Sequence, residues 1–151
     1  MENLKENFKI DFVTLKMKKD KVTTQVDKIS EPKDGYLVAK EFIQDMDREV
    51  LFLMGLDTKN KLNHVSVVSV GSLNSSIVHP REVFKTVILT NSASFILAHN
   101  HPSGDPTPSN EDINITQRIK ECSKIIGIEL LDHIIIGNED NYVSLRQKGI
   151  I

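Results

Sequence analysis

A chain of 151 residues with 39% hydrophobic and 26% charged side chains can bury one sizeable core, which excludes an intrinsically disordered protein and leaves little length for a second domain. Its formal net charge of −2 at pH 7 gives no overall attraction to polyanions, so charge does not favour DNA as a partner. The single cysteine, Cys122, excludes an intrachain disulfide and fits a reducing compartment. No apolar run approaches the roughly 18 residues of a membrane helix, and Met1 to Asp11 mixes charges into the stretch where a signal peptide is apolar, so the expected location is the cytoplasm, with no membrane partner.

Residues 1–29 read as an arm. Phe8, Ile10 and Phe12 alternate with polar residues and the phase then slips to Val13, Leu15 and Met17, a pattern that predicts a strand with a bulge and a β-hairpin closing on Val22 to Ile29. Lys16, Lys18, Lys19 and Lys21 then fall near its turn and read as solvated. The main domain is expected over residues 30–151. Ser30-Glu31-Pro32 opens a first helix, striped by Tyr36, Leu37, Ala39, Phe42, Ile43 and Met46 and ending near Asp47. Val50 to Leu56 and Leu62 to Val70 are strand-length apolar runs joined by Asp57-Thr58-Lys59-Asn60, which suits a hairpin turn.

Gly71 and the polar residues from Ser72 to Ser76 predict a loop. Pro80 starts a second helix with Val83, Phe84, Val87 and Ile88 on one face and a stop at Asn91. Phe95 to Ala98 is a short buried strand delivering His99. A third helix is capped by Ser109, buries Ile115, Ile119, Cys122 and Ile126, and stops at Gly127. Ile128 to Ile136 and Tyr142 to Leu145 complete the strands. Helices alternating with strands in this order predict an α/β sheet covered on both sides. Among the remaining histidines, His64 reads as a surface strand residue and His79 as held extended by Pro80. His133 alternates with Asp132, so only one of the two can face the cleft side of the sheet; His133 reads as a hydrogen-bonded core histidine or a contact behind that cleft.

The stretch from Ala98 to Asp112 carries the chemistry. Two residues apart on a strand end, His99 and His101 project to the same side, and Asp112 returns in the first turn of the next helix after a loop stiffened by Pro102, Pro106 and Pro108. Two imidazoles and a carboxylate suit zinc and leave a fourth tetrahedral position for water, the arrangement of a catalytic site. Asp105, in a Gly-Asp-Pro turn, reads as serving the backbone. Hydrolysis also needs a base, and Glu49 and Glu82 are the candidates. Glu49 precedes a strand that can hold it rigidly, whereas the helix dipole already explains Glu82.

The pattern His-x-His, seven residues, then Ser-x-x-Asp resembles the JAMM metalloprotease superfamily. Val78-His79-Pro80-Arg81-Glu82-Val83-Phe84-Lys85, Ile96 to Pro106, and Leu131-Asp132-His133-Ile134-Ile135-Ile136-Gly137 narrow this to the RadC family, over roughly residues 30 to 151. That resemblance implies a three-layer, cytidine-deaminase-like JAB/MPN fold with a central mixed sheet, and zinc held by His99, His101 and Asp112. It further implies that Glu49 is the proton shuttle, Ser109 the donor to the oxyanion, and amide hydrolysis of a peptide or isopeptide in a protein substrate the activity. Full-length RadC proteins carry an N-terminal helix-hairpin-helix module, and the arm here is too short and strand-like to match it.

Two other classes compete. A binding module in a DNA-repair or mobile-element setting would keep the metal for stability, but a structural zinc more often has four protein ligands. A nucleobase deaminase needs His-x-Glu with Pro-Cys-x-x-Cys, which a chain with one cysteine lacks.

Overall fold

The computed structural model describes residues 7–73 and 78–151, so the first six positions of the arm and part of the loop expected after Gly71 lie outside the described residues. Helix α1 spans Pro32–Ile43, strands β1 and β2 span Val50–Leu56 and Leu62–Val70, α2 spans Pro80–Leu89 and β3 spans Ser94–Asn100; α3 (Asn110–Ile126), β4 (Glu129–Ile136) and β5 (Tyr142–Ser144) follow. The strands form one mixed sheet in the order β2-β1-β3-β4-β5. Only β3 and β4 run parallel, and α3 makes the crossover between them that a parallel pair requires.

β1 and β3 are buried along their whole lengths, because each lies in the middle of the sheet with helices over both faces. On one face α1 packs through Tyr36, Val38, Ala39 and Ile43 onto Val50, Phe52, Met54, Ile96, Ala98 and Ile134. On the other, α2 and α3 bring Val83, Phe84, Val87, Ile115 and Ile119 onto Leu51, Leu53, Phe95 and Leu97. The layers are thus α1, sheet, and α2 with α3. No helix among the described residues is long and apolar enough to cross a membrane.

Local signals set the helix ends. Pro32 and Pro80 each stand in the first turn, Asp34 accepts the Ser30 and Glu31 amides, and Asn91 after α2 takes a left-handed backbone with φ 52°. α3 is capped by Ser109 and closed by Gly127 at φ 81°. The expected extension of α1 to Asp47 does not form: the helix stops at Ile43, Met46 lies outside it and is exposed, and Leu37 is 37% exposed where Val38 is buried. Ile126, expected inside, is likewise exposed at the last turn of α3, whose buried face is Asp112, Ile115, Thr116, Ile119 and Ser123.

The hairpin expected over residues 1–29 is not present in the described part of the arm, which has no strand. Phe8, Ile10, Phe12 and Leu15 stay exposed; a lone two-stranded ribbon with nothing to pack on is marginal in water. Only the end of the arm joins the sheet: Lys28 bridges Lys61, Ile29 N–H donates to Asn60 O, and Leu62 N–H to Asp27 O. The lysine-bearing segment instead lines a cleft of about 660 Å³ with Asn63 to Ser66 and the end of α2.

That cleft includes His64, which is half-buried rather than a surface residue. Its ring lies directly over Gly55 of β1, the residue it pairs with across the sheet, and a Cβ at Gly55 would collide with the imidazole and come within 2.6 Å of Ser92 Oγ. Gly55→Ala should therefore cost roughly 1–3 kcal/mol of stability by overpacking, measured by denaturant unfolding, with a smaller penalty in a His64→Ala background. Burial, aided by the charge of Lys19, pushes the His64 pKa down to about 4 from 6.5. The unfolded chain then binds the extra proton first, so stability should be full above pH 6.5 and fall as pH drops towards 4; unfolding curves across that window should show a shallower loss in His64→Ala.

Candidate metal centre

The end of β3 presents His99, Asn100 and His101 in alternating directions. His99 faces α3 and is fully buried, and His101 follows just past the strand, where its N–H bonds to Ile136 O at 2.8 Å. Asp112 stands at the third position of α3. Ser109 N–H donates to Asp112 Oδ2 at 2.8 Å while Ser109 Oγ accepts the Asp112 N–H at 3.1 Å, a reciprocal cap that fixes the carboxylate. The three groups expected to bind metal are brought together: their ligand atoms lie within 4.8 Å of one another. His99 Nε2 is 2.9 Å from His101 Nε2 and 3.2 Å from Asp112 Oδ1, and His101 Nε2 is 3.3 Å from Asp112 Oδ2.

The hydrogen bonds behind the ligands show what this convergence requires. His101 Nδ1 sits 2.7 Å from the carbonyl oxygen of Asp105, which can only accept, so Nδ1 carries the proton and the Nε2 of the neutral ring is a bare lone pair. That lone pair points at His99 Nε2 and at a carboxylate. Two nitrogen acceptors and an anion aimed at one point repel unless positive charge stands between them. Protons can supply that charge as well, and the directions of titration describe that protonated form. The Asp112 hydrogen bond raises His101 above the usual histidine value despite partial burial. Burial lowers His99, against the opposing pull of Asp112. Burial would raise Asp112, but its bonds to His101 and His99 hold the carboxyl far below the usual carboxylate range. The donor set thus fits a divalent cation of borderline softness. Access is from the His101 side, whose side chain is 13% exposed against 0% for His99 and 3% for Asp112.

Glu49 arrives from β1. In the antiparallel pairing Leu51 stands opposite His99, and continuing that register two residues puts Glu49 opposite His101, on the same face as the ligands. Its negative charge raises the pKa of both His99 and His101, which places it within electrostatic reach of the cluster. One carboxylate oxygen, Oε2, accepts the Leu73 N–H at 2.9 Å. Glu82 is not brought in; its carboxylate is exposed and bound to Lys85 at 2.8 Å. Ser109 is exposed, and because its oxygen is the acceptor in the cap, its O–H proton is not consumed by it.

Three supporting residues carry more than the sequence analysis assigned them. Asn100, between the two histidines, points to the other face: its Oδ1 accepts Val50 N–H at 2.8 Å and its Nδ2 donates to Arg48 O at 3.0 Å and Met46 O at 3.3 Å, clamping the segment that carries Glu49. Asp105 serves the backbone as expected, with its carboxylate on the Thr107 N–H and hydroxyl, but its carbonyl also sets the His101 tautomer. Of the Asp132–His133 pair, His133 faces the cluster, 2.8 Å from His99 Nδ1, while Asp132 binds Ser144 Oγ and the Arg146 N–H. An amide side chain between two histidines, alternating with them along the strand, was the one signal that could have revealed Asn100.

A mixed sheet with helices on both faces and a His-His-Asp cluster at the mouth of a central strand defines an α/β domain of the JAB/MPN class. The chain belongs to the RadC-like JAB domain family, whose model matches residues 29–150. It is 57% identical over 124 residues to a UPF0758 protein of Clostridium acetobutylicum, covering 82% of this chain and 54% of that protein. A UPF0758 protein of Clostridium perfringens is 52% identical over 128 residues, covering 85% of this chain and 56% of that one. The chain therefore spans about half the length of the curated relatives it matches.

Asn100→Ala strips the partner from a buried amide and releases two carbonyls, so it should lower stability by about 1–3 kcal/mol. Amide exchange of Val50 should speed up while the His-His-Asp cluster keeps its ligand atoms, since both imidazoles remain; unchanged exchange would show that the clamp does not hold the Glu49 segment.

Proposed function

We propose that this domain is a metal-dependent hydrolase of JAMM type that cleaves a peptide or isopeptide amide bond, with zinc as its ion. The observation that carries the reading is the convergence of His101 Nε2, His99 Nε2 and the Asp112 carboxylate, a three-ligand set of the catalytic kind. A bound zinc ion would supply Lewis-acid polarisation and lower the pKa of water to about 7.

The protein groups divide the remaining work. Glu49, anchored through one oxygen on Leu73 N–H, would take the proton of the attacking water with the other and deliver it to the departing nitrogen. Ser109 would donate its uncommitted O–H to the carbonyl oxygen as negative charge builds there, supplementing its role as helix cap. The partly exposed His101 side is where an extended segment of a protein substrate would lie. DNA as the working partner has no support from the net charge.

Elemental analysis of the zinc-loaded protein should give a stoichiometric ion that is lost in His99→Ala with His101→Ala. Glu49→Gln keeps size and polarity, so metal should stay while cleavage of a peptide or isopeptide library drops by roughly 10² to 10⁴. Retention of metal by the double histidine variant would refute the site, and undiminished turnover in Glu49→Gln would refute the base.

A further inference from the structure

Behind His99 lies a buried chain of hydrogen bonds that the proposed chemistry does not use. His99 Nδ1 is 2.8 Å from His133 Nε2, His133 Nδ1 is 2.6 Å from Thr116 Oγ1, and Thr116 Oγ1 donates to the carbonyl of Asp112 at 2.6 Å. His133 and Thr116 are both fully buried. The run starts on one residue of the ligand set and ends on the backbone of another.

Its polarity can be derived from its last member. The Asp112 carbonyl only accepts, so the Thr116 hydroxyl spends its single proton there and must accept from His133. His133 therefore carries its proton on Nδ1. Fully buried, with its two ring nitrogens facing His99 and Thr116, His133 is neutral because an unpaired buried cation is costly, so its Nε2 is a bare acceptor. An acceptor at 2.8 Å requires the proton of His99 on Nδ1, which leaves His99 Nε2 bare and aimed at His101 and Asp112. No other arrangement of single protons satisfies every pair along this run from His99 Nδ1 to the Asp112 carbonyl. A neutral His99 in the opposite tautomer would set its Nδ1 lone pair against that of His133 Nε2, where no cation can stand between them.

We infer that His133 and Thr116 are positioning residues that lock His99 into its Nδ1–H tautomer and tie its ring to the first turn of α3, so that two ligands borne on different elements move as one unit. This rests on the metal-centre reading above and adds to it a relay made of a neutral imidazole and a hydroxyl, where ligating histidines are often backed by a carboxylate. A neutral relay fixes geometry without adding a further negative charge to a buried site that already holds the Asp112 carboxylate.

The test is made on the full chain. Zinc affinity is measured by competition with a chromophoric chelator, and the cobalt-substituted protein is followed by its d–d absorption. His133→Phe, which keeps an aromatic ring but offers no acceptor, should weaken zinc binding roughly 10- to 100-fold and shift the cobalt spectrum. His133→Gln, whose amide can accept from His99 and donate to Thr116, should recover most of the loss; a merely space-filling role would rank Phe above Gln. Should His133→Phe not fold, Thr116→Val, nearly isosteric, should still weaken binding several-fold, within that same bracket, and nitrogen-15 spectra of the unaltered protein should show both His99 and His133 protonated on Nδ1. Parent-like affinity in the Phe or Val variants, or an Nε2–H tautomer at either histidine, overturns the relay while leaving the metal centre intact. A parent that binds no zinc overturns the metal-centre reading itself.

Discussion

The constraint on which the rest of the structure depends is the burial, at one point, of two imidazole lone pairs and a carboxylate. Such groups lose their hydration on folding and are tolerated only when a compensating charge is held between them. Among the described residues no cationic side chain stands at the point where they converge. Among the described residues the bonds that orient these side chains come from behind or from the flank: His101 Nδ1 donates to Asp105 O, His99 Nδ1 to His133 Nε2, and the Ser109 amide to Asp112. The polar contacts of the loop and helix therefore orient the ligands and leave their converging atoms for a cation.

The period-2 geometry of β3 divides the work between the two faces of the sheet. His99, facing α3, enters the cluster; Asn100, facing α1, fastens the approach to β1. One strand end thus sets both the ligands and the stretch bearing Glu49. Because β1 and β3 are central and apolar on both faces, the strands have little freedom to slide, and register transmits position from one to the other with the rigidity of the core. Gly137, pressed against the backbone of Gly104, and the Asn138 N–H bound to Gly104 O hold the intervening loop down on β4 in the same way.

Much of this was legible before any coordinates. α2 and α3 begin and end where Pro80, Asn91, Ser109 and Gly127 say they should, since those residues act on the backbone of their own turn. His99, His101 and Asp112 were readable because their spacing is short enough for one strand and one helix cap to bring them together. The misreadings share a cause. The apolar alternation of Phe8 to Met17 says that a strand would have two different faces, but provides no second layer to cover one of them, so this stretch forms no strand and its apolar side chains stay exposed. Met46 and Ile126 continue the periodicity of their helices past the point where the neighbouring layer ends.

The sequence by itself determined which two histidines and which aspartate converge and where α2 and α3 begin and end, because both are local: a side chain two positions along a strand, or a hydroxyl at a helix start, acts over a few ångströms of its own chain. It also carried the family resemblance that the match over residues 29–150 bears out. Only the tertiary structure decided that Glu49 stands across from His101, that Asn100 clamps the segment beside it, and that His133 and Thr116 join His99 to α3. Those contacts link residues from 17 to 54 positions apart. They depend on strand register and on which helix covers which face, and these are set by the packing of two apolar cores, a property of the whole chain that no short stretch of it encodes.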